Sequence, residues 1–493
     1  MLPFDTLIKN VRLVSPHQSS VDSSDIGIKD GKIVKVAPDI PVTANTPIAR
    51  ELIDGNGLLA FPGVVDAHMH CGIYAPLDQD AKTESCAAAA GGVTSSLNYI
   101  RTGAYYLNKM GPYGEFFPEV LNLSEGNFHV DYGYHLAPMN GMHIGEMQEL
   151  VDRFGVASFK IFMFYGSHGL HGKSMSQQDF LMLNPDEKYD FAHFEFIMRE
   201  LAEISRNRPH LREQLSLSLH CETAEIMRAY TSIVEARNEL QGLRAYSASR
   251  PPHSEGLAIF IAAYLANEAD CMNINLLHLS SKKAVEAAFA MEQVFPHISF
   301  KKEVTIGHLL LDVDCPHGEL AKVNPPIRPR EDVEYLWQVL AAGKMDWVVS
   351  DHACCSAELK VDQEDSRNIF LAKSGFGGTE YLLPALVSAG SKRGLSYSQV
   401  AKLLAWNPAR RYGLSGKGDL GPGYDADIAL VDPHRSYTVN SREGYSQQGY
   451  SPFDGMQLDA KVVRTLLRGQ TIFNEDKICG APQGKYIIRN EPL

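Results

Sequence analysis

Six residues in this chain fall where their chemistry could be pooled: His68, His70, Lys160, His220, His278 and Asp351, of which the histidines and the aspartate are of types that bind metal ions. Imidazole and carboxylate suit zinc and similar divalent ions. In FPGVVDAHMH the i, i+2 spacing of His68 and His70 points both side chains to one side of an extended strand, so two ligands can grip one ion. Taken singly, each residue has a plainer reading. His220 or His278 alone reads as a hydrogen-bonded structural histidine, and a buried Lys160 is penalised because desolvation disfavours its charge. Together, the HxH pair, two further strand-end histidines and an Asp inside SDH form a far more specific pattern than any one member.

Such a cluster needs elements that bring its members to one place. Eight short apolar or β-branched runs recur between helical stretches: FPGVVDAHMH, GGVTSSLNYI, HVDYGYHLAPM, VASFKIFMFY, LSLSLHCE, NINLLHLS, HISFKKEVTI and MDWVVSDHA. Separating segments such as AKTESCAAAA, SKKAVEAAFAMEQV and REDVEYLWQVLAAG have the apolar spacing and Ala content of helices packed outside a barrel. The alternation predicts an α/β fold, a closed parallel (β/α)₈ barrel over residues 59–415. The C-terminal strand ends form the active face of such barrels, and that is where the six residues fall. Residues 1–58 read as short strands with DG and NG turns. Similar material returns over 416–493, so the two termini are expected to pair into one small β-sandwich domain. The 493 residues accommodate both units.

The motifs FPGVVDAHMH, SFKIFMFY, KVNPPIR and VVSDHA, with the two later histidines, resemble the cyclic amidohydrolases: hydantoinases, dihydropyrimidinases, allantoinases and dihydroorotases. The resemblance spans nearly the whole chain, since GYDADIALVDP and SPFDGMQLDAKVVRTLLRG are similar to the C-terminal part of that family's small β domain. It implies two divalent ions, zinc by preference, with His68, His70 and Asp351 on one and His220 and His278 on the other. Lys160, carboxylated on its amine, would bridge them, which also accounts for a lysine in a buried strand. It implies hydrolysis of a cyclic amide by a metal-bridging hydroxide, because metal coordination lowers the pKa of water. Asp351 is then the expected proton shuttle between that nucleophile and the leaving nitrogen.

The ring is less constrained. Tyr165 lies five residues after Lys160, where the hydantoinase and dihydropyrimidinase branch has a Tyr whose hydroxyl supports the oxyanion; an aromatic packing residue is the plain alternative. Asn324 in KVNPPIR aligns with a position that holds the ring amide through backbone groups. The family's later Asn falls near Ser374 in SGFGGTE, so one ring contact is altered. Dihydroorotases carry an Arg two residues after HxH, whereas this chain runs His70, Cys71, Gly72, so a fixed acidic substituent lacks a partner. Allantoinase and hydrolysis of other cyclic imides or lactams remain the enzymatic alternatives. The non-enzymatic one is a dihydropyrimidinase-like structural or signalling protein, against which the complete set of six ligand types argues. The stretch 166–190 is long for a connection after a barrel strand and reads as a lid or as surface elaboration. His253 in SASRPPHSEG reads as surface or supporting.

A formal charge of −13 without a basic patch argues against nucleic acid, and there is no long apolar stretch for a membrane span. The absence of a signal-peptide layout and eight scattered cysteines without a CxxC pair point to a cytoplasmic protein with reduced thiols. The expected partner is a small cyclic amide, and the resemblance implies a homotetramer.

Overall fold

A computed structural model describes residues 2–42, 48–165, 169, 170, 182 and 187–491. Its centre is an eight-stranded parallel sheet whose strands follow chain order: Val64–Met69, Val93–Ile100, Asp131–Leu136, Ser158–Phe162, Ser216–His220, Asn273–Leu276, Ser299–Thr305 and Trp347–Val349. All eight expected runs therefore supply a barrel strand. The last is only three residues long, yet the sheet closes: Met69 bridges to His352 in parallel, and the His70 backbone N–H donates to the His352 carbonyl at 2.8 Å. Strands enclosed on both faces read as near-continuous apolar runs, which is why these segments carry little alternation.

The flanking helices include Leu77–Ala90, Lys282–Val294 and Arg330–Ala341, which cover the three helical segments expected. Ser281 caps the second, accepting from the Ala284 backbone N–H at 3.2 Å. Leu77–Ala90 turns two buried carboxylates inward. Asp80 accepts from the Gly72 N–H, just past the HxH pair, and Glu84 holds His352 at 2.8 Å, just past Asp351. That helix thus fixes two of the loops that carry candidate ligands.

The termini build a nine-stranded mixed sheet. Ile428–Asp432 pairs antiparallel with Leu59–Pro62, which in turn runs parallel to Phe4–Val14. Its core draws on both ends of the chain, with Ile8, Val11, Ile26 and Ile28 packed with Ile428 and Leu466. Asp30 and Gly31, at φ of 50° and 76°, close the hairpin between Val21–Lys29 and Lys32–Ala37, as a DG pair should. Asn56–Gly57 turns with the same sign of φ but makes no hairpin. The strands it joins, Ala49–Asp54 and Leu59–Pro62, both pair in parallel with Phe4–Val14 instead of with each other.

Two contacts weld these parts together. Lys417, fully enclosed, reaches Asp131 at 2.6 Å, Asp427 at 2.7 Å and Asp425 at 2.9 Å, and Arg468 adds a second cation on Asp131. At the other contact, the C-terminal segment lies against the barrel: Arg489 donates to the Ser158 hydroxyl at 2.6 Å and the Tyr134 carbonyl at 2.5 Å. Removing one partner of a buried charge cluster leaves the others uncompensated, at a cost of about 3–5 kcal/mol. Lys417→Met is accordingly expected to lower the unfolding free energy by an amount in that range, read as a lower urea midpoint at unchanged m. An unchanged midpoint would show that the cluster does not hold the two parts together.

No helix among the described residues is long and apolar enough to cross a membrane. All eight cysteines are unpaired.

Candidate active site

The six candidate ligands meet at the C-terminal end of the barrel. His68 lies near the end of the first strand and His70 one residue beyond it, Lys160 is inside the fourth, and His220 ends the fifth. His278 and Asp351 each follow their strand by two residues, with φ of 34° and 52°. Non-glycine residues in the left-handed region are uncommon and cluster where function constrains the backbone. The potential ligand atoms crowd together. His68 Nε2 stands 2.9 Å from Asp351 Oδ1 and 3.2 Å from His70 Nε2, and Lys160 Nζ stands 2.5 Å from His68 Nε2. His68, His278 and Asp351 can each offer one ligand atom within 4.8 Å of the others. The His220 and His278 rings are 4.3 Å apart.

Each outward ring nitrogen is held from behind. His68 Nδ1 meets Glu303 Oε1 at 2.8 Å, and Glu303 is steadied by the Trp347 indole N–H at 2.8 Å and the His278 backbone N–H at 3.2 Å. His70 Nδ1 meets the Tyr106 hydroxyl at 2.6 Å. His220 Nε2 meets Glu222 Oε2 at 2.6 Å, and Arg250 grips both oxygens of Glu222 at 2.9 and 2.5 Å. A carboxylate only accepts, so His220 carries its proton on Nε2 and presents a bare Nδ1 to the site.

Electrostatics favour the neutral, ligating form of three of the four histidines. Burial, reinforced by the nearby Lys160, takes His70 down to about 3. Burial likewise takes His220 to about 4, against the pull of Glu222, and holds His278 well below the usual histidine range. His68 goes the other way: burial disfavours its charge, but Asp351 and Glu303 outweigh it. Burial pushes Asp351 up, yet His68 and His70 overcome this and hold the carboxyl well below its ordinary range. Lys160 falls to about 8 through burial.

A cavity opens above this cluster. His70, His220, His278 and Asp351 line its floor, with Phe162, Ile73, Leu170, Val323 and Ala353 as apolar walls and Asn324, Ser374 and Gly375 at one side. The Asn324 side chain is anchored at both ends, accepting from Tyr246 at 2.5 Å and donating to the Leu170 carbonyl at 2.8 Å. Gly375, at φ of 100°, could not carry a Cβ without coming to 2.8 Å from that of Ala353, so GFGGTE is a tight loop at the cavity wall. Lys360 joins the two polar wall segments, donating to the Lys322 carbonyl at 2.8 Å and the Gly375 carbonyl at 2.6 Å. Tyr165 sits beside the cavity wall: its ring stacks on Phe162 at 4.6 Å, with the Arg101 guanidinium 5.2 Å from it. His253 is a partly exposed residue packed on Tyr230. The expected lid over 166–190 falls largely outside the described residues.

The Amidohydrolase family matches residues 217–472, which include His220, His278 and Asp351. An allantoinase of Rubrobacter xylanophilus is 32% identical over 99% of this chain and 98% of its own length. The chain belongs to the amidohydrolase family. An Escherichia coli allantoinase is 29% identical over 99% of this chain and 100% of its own. Among solved structures, the L-hydantoinase (dihydropyrimidinase) of Arthrobacter aurescens superposes with a TM-score of 0.83 at 26% identity, covering 98% of this chain and 99% of that one. The dihydropyrimidinase of Brevibacillus agri shares the fold at the same TM-score and 24% identity, covering 99% of each chain.

This amidohydrolase is therefore a hydrolase of cyclic amides that uses divalent metal. Its own residues fit that group. The buried Nδ1 atoms of His220 and His278 have no hydrogen-bond partner among the described residues. Buried polar atoms rarely stand so, and an ion would satisfy both. Ligating histidines characteristically donate their other nitrogen to a carboxylate, as His68 does to Glu303 and His220 to Glu222. These supporting residues, with Tyr106, Arg250 and Tyr246, escaped the sequence reading. For Glu222 a signal existed, since it lies two residues after His220 in HCE.

Proposed function

We propose that this amidohydrolase opens a hydantoin-type ring and that allantoin, a hydantoin bearing a ureido group, is its first substrate to test. The observation that carries this reading is the cavity itself: four of the six candidate ligands, His70, His220, His278 and Asp351, line it, and the Asn324 side chain is anchored at both its oxygen and its nitrogen, which leaves backbone groups to meet the flat ring amide. Full-length similarity to allantoinases supports the substituent, and similarity to an L-hydantoinase supports the ring. A dihydropyrimidine is the second reading, favoured by the name of that same solved relative.

His68, His70 and Asp351 would hold one ion and His220 and His278 the other, with zinc the metal to try first. When bound, the ions lower the pKa of water towards neutrality and polarise the scissile carbonyl. Lys160 we assign as a carbamate bridge. Its amine, brought to about 8 by burial, has a substantial neutral fraction near pH 7, and a neutral amine can add carbon dioxide, forming an N–C bond and releasing a proton. Asp351, held ionised, takes the proton from the attacking water and returns it to the leaving nitrogen. Ser374 and Asn324 contact the ring from the side wall.

Tyr165 we assign to the oxyanion through its hydroxyl, with the Arg101 guanidinium lying 5.2 Å from its ring. Losing one oxyanion donor costs about 10²–10³ in kcat, so Tyr165→Phe should show that loss with metal content and KM little changed. Parent-like turnover in Tyr165→Phe would reduce the residue to packing behind Phe162.

The working form we propose is a cytoplasmic homotetramer. Leu257, Phe260 and Tyr264, exposed on one face of the helix Pro252–Glu268, offer an apolar surface for a second copy. The substrate reading is tested by following ring opening of allantoin, hydantoin, dihydrouracil, dihydroorotate and succinimide by the metal-loaded protein. Turnover of the ureides and none of dihydroorotate is expected. Turnover of dihydroorotate alone, or of none of the five at full metal content, would contradict it.

A further inference from the structure

One buried chain of polar groups runs from a candidate metal ligand to the wall that faces the ring. His220 Nε2 donates to Glu222 Oε2 at 2.6 Å, and both oxygens of Glu222 accept from Arg250, at 2.9 and 2.5 Å. Arg250 Nη1 donates to the Tyr246 hydroxyl at 3.1 Å, and that hydroxyl donates to Asn324 Oδ1 at 2.5 Å. All five residues are buried. Every donor in the chain has one direction. Arg250 cannot accept, so the Tyr246 oxygen takes its N–H and leaves the phenolic proton to point at Asn324. That fixes the orientation of the Asn324 amide, whose nitrogen donates to the Leu170 carbonyl. In a low-dielectric interior such networks are worth more than the sum of their pairs and hold one arrangement.

We infer that Glu222, Arg250 and Tyr246 are positioning residues that link metal retention at His220 to ring binding at Asn324. None of the three touches the reacting atoms. Their effect is to keep His220 in the tautomer that bares Nδ1 and to keep the Asn324 backbone facing the cavity. The binding half of this inference rests on the proposed substrate reading, whereas the metal half does not.

Tyr246→Phe removes the central hydroxyl and keeps the ring. Losing a buried hydrogen bond that leaves both neighbours unsatisfied corresponds to about a tenfold change in an equilibrium. With hydantoin as probe, KM should rise about tenfold while kcat stays near the parent value, the pattern of lost ground-state binding. Asn324→Ala should raise KM too, and the double variant should be no worse than the larger single change, because both cut the same chain. Independently of any substrate, the metal-loaded Tyr246→Phe protein should release an ion to a chelator faster than the parent, whereas a merely structural tyrosine would leave that rate unchanged. Additive KM effects together with parent-like release would overturn the linkage. If Tyr246→Phe does not fold, Asn324→Ala alone must raise both KM and the release rate, and a change in KM only would overturn it. Failure of the parent to open hydantoin while Tyr246→Phe still loses metal faster would sink the substrate reading and leave the metal half standing.

Discussion

Replacement of Lys160 by Ala is expected to abolish ring opening and to reduce bound metal to less than the parent content. Lys160 Nζ sits 2.5 Å from His68 Nε2 and 3.3 Å from His70 Nε2, in the middle of the ligand cluster. As an ammonium it could not occupy that place beside cations. As the proposed carbamate it would supply an anionic group to both halves of the site, so its loss would separate them. The neighbouring rings of Tyr99 and Phe162, 4.6 and 4.7 Å from Nζ, leave a gap that Ala does not fill. A short carboxylic acid added to Lys160→Ala should therefore restore part of the activity by occupying the gap. The assay is elemental metal analysis beside turnover, with and without the added acid. Full activity and parent metal content in Lys160→Ala would show that no bridging group is needed.

Asp351→Asn is expected to keep most of the metal and lose most of the rate. The amide retains the shape and one oxygen ligand but cannot accept and return a proton. General acid–base catalysis contributes about 10²–10⁴ in rate, and kcat should fall by a factor in that range. The Asp351 carboxylate favours the charged forms of His68 and His70, and an uncharged Asn withdraws that support, so burial weighs more heavily and both rings shift towards neutral. Neutral imidazoles ligate, which is why metal content should survive. A kcat within a few-fold of the parent would remove Asp351 from proton transfer and leave it a ligand only.

The barrel was legible because its strands are buried on both faces and end in recognisable chemistry: VVDAHMH and SFKIF announce a strand and a ligand at once. Even Trp347–Val349, with three residues, carries its Asp two positions on. Groups whose partners are distant in sequence were not legible. Glu303 lies 235 residues from the His68 it supports, and nothing in HISFKKEVTI marks that one of its charged residues faces inward. The same holds for SASRPPHSEG, where His253 reads as surface or supporting while Arg250 and Glu255, ordinarily surface types, are the buried members. Buried charges are tolerated only when paired, and the pairs, Arg250 with Glu222 and Arg328 with Glu255, exist only in three dimensions. Asn56–Gly57 shows the local limit: the dipeptide dictates a turn, but the pairing of the strands it joins is decided by Phe4–Val14. Tyr165 shows the corresponding limit for the site, since its spacing from Lys160 does not reveal that its ring stacks on Phe162 or lies beside the Arg101 guanidinium.

The most direct measurement is a metal titration of activity. The protein is stripped with a chelator, bicarbonate is supplied, and zinc is added back in steps while the opening of allantoin and hydantoin is followed. A binuclear cyclic-amide hydrolase should show ring opening that rises with added zinc and breaks sharply at about two ions per chain. Ring opening that is already complete in the stripped protein, or that plateaus at a single ion per chain, would contradict the account.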